Sequence, residues 1–127
     1  MKRIVIAFSF LLLGMPAFAQ VPEMNGLDFV IEANQYDGKK VRINDCHIAK
    51  AKPVLLGCVI FNDKGKSIAV IGIDGESLQK KDMKKALQNC ADSQIPEICV
   101  VDIIGIVRRF EDTKIIIYKT EIIWKNN

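Results

Sequence analysis

Apolar positions in this chain follow three rhythms. The first is a dense run near the start, Ile4 to Leu13, broken only by Ser9. The second is a spacing near 3.6 residues. In "LDFVIEANQY" it aligns Leu27, Val30, Ile31 and Asn34, with Phe29 and Ala33 as another contact row. In "ESLQKKDMKKALQNCA" it aligns Leu78, Met83, Ala86, Leu87 and Cys90. Both stretches predict short helices, the first ending at Asp37-Gly38, the second capped by Ser77 or, in a shorter form, by Asp82.

The third rhythm has a period near two and predicts strands. From Lys39, Val41 and Ile43 alternate with Arg42 and Asn44; Asn44-Asp45 suits a bulge, and Cys46 and Ile48 resume the pattern in one long bent strand. Val54 to Phe61 is apolar apart from Gly57 and reads as a largely buried strand. "NDKGK" then offers a tight turn, with Gly65 at a positive-φ position, before a third strand over Ser67 to Ile73. Two more strands, Ile98 to Val107 and Lys114 to Trp124, flank "RRFEDT".

The predicted order is helix, three strands, helix, two strands. That is the order of a mostly β OB-fold with added helices: a five-stranded Greek-key barrel with an N-terminal helix and a helix between strands 3 and 4. A closed barrel also buries many Ile and Val residues without leaving long apolar edges. The runner-up is a ferredoxin-like or other small α+β sandwich, which accounts less well for three consecutive strands before the helix.

Charge and composition now bear on the first rhythm. Met1-Lys2-Arg3, the apolar run, and Ala17-Phe18-Ala19 stand in the order of a secretory signal peptide, and the run falls short of the roughly 20 residues a membrane helix needs. The expected organisation is a signal peptide over 1–19, an exposed lead-in over 20–26, and the OB-fold domain over 27–127. Cleavage leaves 108 of the 127 residues and lowers the formal charge from +3 to about +1. The expected location is the periplasm or the exterior, with no membrane association after signal removal. The near-neutral charge, and the loss of Phe8, Phe10 and Phe18 with the signal, argue against a nucleic-acid partner.

Export changes how the cysteines read. Cys46, Cys58, Cys90 and Cys99 are an even set in a small exported domain, most economically two disulfides. Three pairings exist. Cys46 with Cys58 is preferred because a turn near Lys52-Pro53 makes positions whose numbers sum to 104 face one another. Cys90 with Cys99 would close "ADSQIPEI" between a helix end and a strand start. Cys46-His47 is a poor metal pair, since neighbours on a strand point to opposite faces, and no C-x-x-C occurs. No metal, cofactor or catalytic residue is assigned. Walker, G-x-S-x-G, H-E-x-x-H and dinucleotide-loop motifs are all missing, so no enzyme is expected. Asp102, inside "VVDIIGIV", is read as a strand residue facing solvent or pairing with a Lys or Arg. Lys80, Lys81, Lys84 and Lys85 are read as a solvated helix face, and Trp124 as a barrel plug.

"DFVIEANQYDGKKVRINDC", with its hydrophobic helix, Gly-Lys-Lys-Val strand entry and polar bend, resembles the bacterial tRNA-anticodon-binding-like OB-fold group of exported proteins. "ALQNCA" and "CVVDIIGIV" fit the same rhythm, and the likeness covers about residues 27 to 124. A second exported OB-fold family, linked to stress in bacteria, is a more distant likeness. The resemblance implies the fold and not the binding of tRNA. OB-folds commonly bind across strands two and three and between the loops joining strands one to two and four to five. Mapped here, that region holds Lys50, Lys52, Lys64, Lys66, Arg108, Arg109 and Phe110. The expected function is a binding or interaction module for a protein or glycan of the cell envelope. The alternative is a structural or assembly subunit that oligomerises through a strand edge.

Overall fold

A computed structural model describes residues 21–92, 94–111 and 113–126, so the expected signal peptide lies outside the described residues. The elements are β1 (Glu23–Asn25), α1 (Gly26–Glu32), a 3-10 turn at Ala33–Tyr36, β2 (Lys40–Ala49), β3 (Leu55–Phe61) and β4 (Ser67–Asp74). A 3-10 turn at Gly75–Ser77 leads to α2 (Lys80–Asn89), another at Glu97–Cys99 leads to β5 (Val100–Arg109), and β6 (Ile115–Trp124) closes the chain.

Strand order runs β1-β2-β3-β4-β6-β5, and β5 returns to pair with β2. The five strands β2 to β6 thus form a closed barrel, and β1 lies outside it, parallel to β2. Within the barrel, neighbouring pairs are antiparallel except β4 with β6, which run parallel through Gly72↔Ile116 and Ile73↔Ile117.

Period-two patterning builds the interior. Val41, Ile43, Cys46 and Ile48 of β2, Leu56, Cys58 and Ile60 of β3, and Ile71 and Ile73 of β4 are all buried. Val101, Ile103 and Val107 of β5 and Ile117 of β6 complete the same cluster, so Ile48, Ile71, Ile103 and Ile117 share one centre. Each buried Val, Leu or Ile among them contributes roughly 1.5–3 kcal/mol by leaving water. The β2 register shifts between Ile43 and Cys46, where Asp45 adopts φ 57°, so the expected bulge is present. Gly105 sits at the matching irregularity between β5 and β6. A Cβ there would stand 2.4 Å from Ile117 Cγ2, which only a glycine avoids. Gly65 takes φ 77° in the β3–β4 turn, as its position required.

Several expectations are corrected. Within the lead-in, Glu23–Asn25 is a strand and Gly26 begins α1; the Asn25 side chain caps that helix by accepting from the Asp28 N–H at 2.8 Å. Of the two rows on α1, Phe29 and Ala33 are buried, while Ile31 is 73% exposed, because the helix covers the barrel end with its Phe29 side. Ser77 does not cap α2, whose N-cap is Gln79 without a side-chain bond; the Ser77 hydroxyl donates to the Asp74 carbonyl and accepts from the Lys119 N–H. Trp124 is half-buried and clamps α2: its indole N–H donates to Asp82 Oδ1 at 3.0 Å and Lys85 Nζ lies 4.6 Å over its ring.

Both preferred disulfides are present, Cys46–Cys58 and Cys90–Cys99, with Cα–Cα distances of 5.4 and 5.9 Å. The β2–β3 register pairs Ile48 with Cys58 and His47 with Val59, two positions away from the one expected, so the first bridge is diagonal. The shift arises because the turn closes between Lys52 and Leu55, beyond Lys52-Pro53. Among the described residues no helix is long and apolar enough to cross a membrane.

Candidate functional site: the outer face of β2, β3 and β4

Outward positions of a barrel strand ordinarily carry polar side chains, because they face water. On β3 they are Leu55, Gly57, Val59 and Phe61, and on β4 Ile68, Val70 and Gly72. The strands pair so that Val59 lies opposite Val70 and Gly57 opposite Gly72. Val70 is 64% exposed, and Leu55 and Ile68 are also exposed. The facing glycines withdraw two side chains from this floor, leaving Val70 Cγ1 beside Gly57 and Leu55 Cδ1 beside Gly72.

The result is a hollow of about 450 Å³ lined by Ala49, Lys50, Gly57, Val59, Phe61, Ser67, Val70 and Ile95. One wall comes from the loop that the Cys90–Cys99 disulfide closes. The Lys50 N–H donates to the Asp92 carbonyl at 3.1 Å and the Ala51 N–H to the Cys90 carbonyl at 3.0 Å, so this loop is stitched to the β2–β3 turn and brings Ile95 to the rim. Lys50 holds φ 52°, a left-handed backbone that non-glycine residues adopt at a cost.

A second hollow of about 280 Å³ adjoins the first, with Val70 lining both. Arg109, Thr113, Ile115, Val30 of α1, and Ala33 and Asn34 of the 3-10 turn that follows it contribute to its wall. Thr113 also has a left-handed backbone, φ 65°. A third, about 220 Å³, lies between the start of α1 and the end of β3, beside Asp45, His47, Phe61 and Asp63. The His47 ring meets Phe61 edge-on at 4.9 Å, and its Nδ1 is shielded from solvent without a hydrogen-bond partner among the described residues. Among those residues no group of three His, Cys, Asp or Glu side chains is placed to hold a metal.

The structure distributes the sequence-predicted residues unevenly. Lys50 lines the first hollow and Arg109 the second. Lys52, Lys64 and Lys66 are exposed on their turns, the latter two donating backbone N–H groups to Asn62 Oδ1 at 2.9 and 3.0 Å. Arg108 is exposed one residue before the end of β5, and Phe110 is 42% exposed on the β5–β6 turn. None of these five lines either hollow. Sequence reasoning missed Val59, Phe61, Val70 and the glycine pair. The available signal is that "LLGCVIF" is apolar at both parities, which in sequence reads equally as a largely buried strand.

In sequence, the chain matches no known family model and no curated protein.

A charged cluster lies elsewhere on the barrel and has a structural role. Asp102 of β5 is 6% exposed. It accepts from Arg42 Nη2 at 2.8 Å and the Asp45 N–H at 3.1 Å, and Lys125 Nζ stands 3.0 Å away. The solvent-facing option for this side chain is thereby replaced by the ion-paired one. Burial pushes its carboxyl up, but the hydrogen bonds from Arg42, Lys125 and the Asp45 N–H outweigh it and hold the carboxyl below the usual carboxylate value. The Asp102 hydrogen bond raises the Arg42 guanidinium, and Asp45 raises the Lys125 ammonium, above their ordinary values. The cluster ties β2, β5 and the C-terminus together at the bulge.

Proposed function

We propose that the chain is an exported OB-fold binding module that holds a protein or glycan ligand of the cell envelope on the outer face of β2, β3 and β4. The observation that carries this reading is the apolar hollow of about 450 Å³ on that face, with Lys50 at its rim. Strand order supports the fold: numbered from β2, the barrel reads first, second, third, fifth, fourth and back to the first, with a helix between the third and fourth. In OB-folds the second and third strands, here β3 and β4, form the binding face. Two disulfides and the signal-like N-terminus support an oxidising compartment such as the periplasm.

An apolar, weakly charged hollow suits burial of ligand side chains or a sugar's apolar face, and it lacks the row of exposed aromatics and cations on which single-stranded nucleic acid stacks. A binding role also explains why Lys50 tolerates a left-handed backbone, since strain of this kind concentrates at ligand sites.

The test uses the mature chain, immobilised and exposed both to envelope extract of its own host and to a glycan array. Val59→Asp and Val70→Asp should each weaken capture at least tenfold, with unchanged melting temperature, whereas Lys81→Asp on α2 should leave it unchanged. Capture indifferent to both β-face variants abandons this face. The assembly alternative is read in the same samples by light scattering, as an oligomer that Val70→Asp dissociates.

A further inference from the structure

We infer that the free edge of β4, residues 67–71, takes up an extended acidic peptide segment of a partner protein by strand addition. β4 pairs with β3 from Leu55↔Asp74 to Phe61↔Ser67, but with β6 only at Gly72 and Ile73. Below Gly72 it has no strand on its other side among the described residues, and the backbone groups there are a template for pairing. Folded proteins commonly blunt such an edge with a charge or a proline. Residues 67–71 read Ser-Ile-Ala-Val-Ile and contain neither. The edge spans about 16 Å, at roughly 3.3 Å per residue, enough for a five-residue strand.

Beside this edge lies the second hollow, about 280 Å³, with Val30, Ala33 and Ile115 as apolar wall and Arg109 at its margin. An added strand points alternate side chains to one face, so apolar residues at every second position would enter the hollow while the backbone pairs with β4. Charge selects the rest. Among the described residues no carboxylate lines the hollow and Arg109 makes no salt bridge; the Asp37 carboxylate accepts only from the Arg109 backbone N–H, at 3.0 Å. A segment carrying Asp or Glu at its ends therefore complements it. A glycan offers no ladder of amides, and a nucleic acid needs more cations than this lining provides. The outer-face reading uses side chains that project from the sheet, whereas strand addition uses the backbone edge of β4, although Val70 borders both hollows.

The probe is the synthetic peptide Ac-Glu-Val-Thr-Val-Thr-Val-Glu-amide, with two controls: Lys in place of both Glu, and N-methylation at both Thr. NMR titration and amide exchange of the mature chain read the result. Binding should slow exchange of amides within residues 67–71 at least tenfold. The Lys and N-methyl peptides should each bind at least tenfold more weakly, Arg109→Glu should reverse the preference between Glu and Lys peptides, and Lys81→Asp on α2 should leave binding unchanged. Absence of binding overturns the inference, as does binding indifferent to N-methylation or to the sign of residue 109. Chemical-shift changes confined to residues 49, 57 and 59 overturn it too, as does a dimer whose residues 67–71 are already protected without peptide, for then a second copy holds the edge.

Discussion

At the scale of single residues, two side chains test the physics most sharply. Asp102 is held as a carboxylate by three donors, and its depressed native value carries a definite sign. A group whose native value lies below its unfolded one stabilises the fold fully above the ordinary carboxylate range, and the contribution disappears as pH falls through that range toward the native value. Asp102→Asn should therefore cost about 2 kcal/mol at neutral pH, a charged hydrogen bond's worth, and should flatten the loss of stability below about pH 4. Urea midpoints of the two proteins across pH 3 to 7 measure both. Lys50 gives the opposite case. Its φ of 52° is strained for a lysine and open to glycine, so Lys50→Gly should stabilise by about 0.5–1 kcal/mol in thermal unfolding while weakening ligand capture. The sequence marked Asp102 as unusual for an acid inside an apolar strand. It could not reveal Arg42, 60 residues earlier, or Lys125 as its partners, because only barrel closure brings these three together.

At the scale of elements, the Cys90–Cys99 bridge links stability to the site. It closes a loop with a sequence separation of 9, for which chain entropy predicts about 2–3 kcal/mol. The paired variant Cys90→Ser, Cys99→Ser should lose that amount in urea unfolding. It should also lose affinity, because the same loop carries Ile95 to the rim of the outer-face hollow. A variant destabilised to this extent with unaltered binding would show that Ile95 is a bystander. Strand positions were legible because period-two burial is a local property of the chain. The choice of contact row on α1 was not, since two rows on one short helix are equally apolar and only the neighbouring barrel end decides for Phe29 and Ala33. The helix cap failed for a related reason: Ser77 spends its hydroxyl on Asp74 and Lys119, the latter 42 positions away.

At the scale of the whole molecule, five strands closing through β2 and β5 explain the burial pattern and the bulge together. Closure was readable from element order and from the density of Ile and Val. The functional face was not, because a strand apolar on both parities looks the same whether its second side is buried by protein or awaits a ligand. The turns drew notice because their charges stand out in a sequence, yet only Lys50 and Arg109 of those residues reach the hollows. A photo-crosslinking phenylalanine derivative placed at Val70 in the living envelope would trap whatever the outer face of β3 and β4 holds. One discrete adduct is expected, repeated when the probe stands at Val59 and missing when it stands at Lys81 on α2. Equal adducts from all three positions, or none from Val59 and Val70, would contradict a ligand on that face.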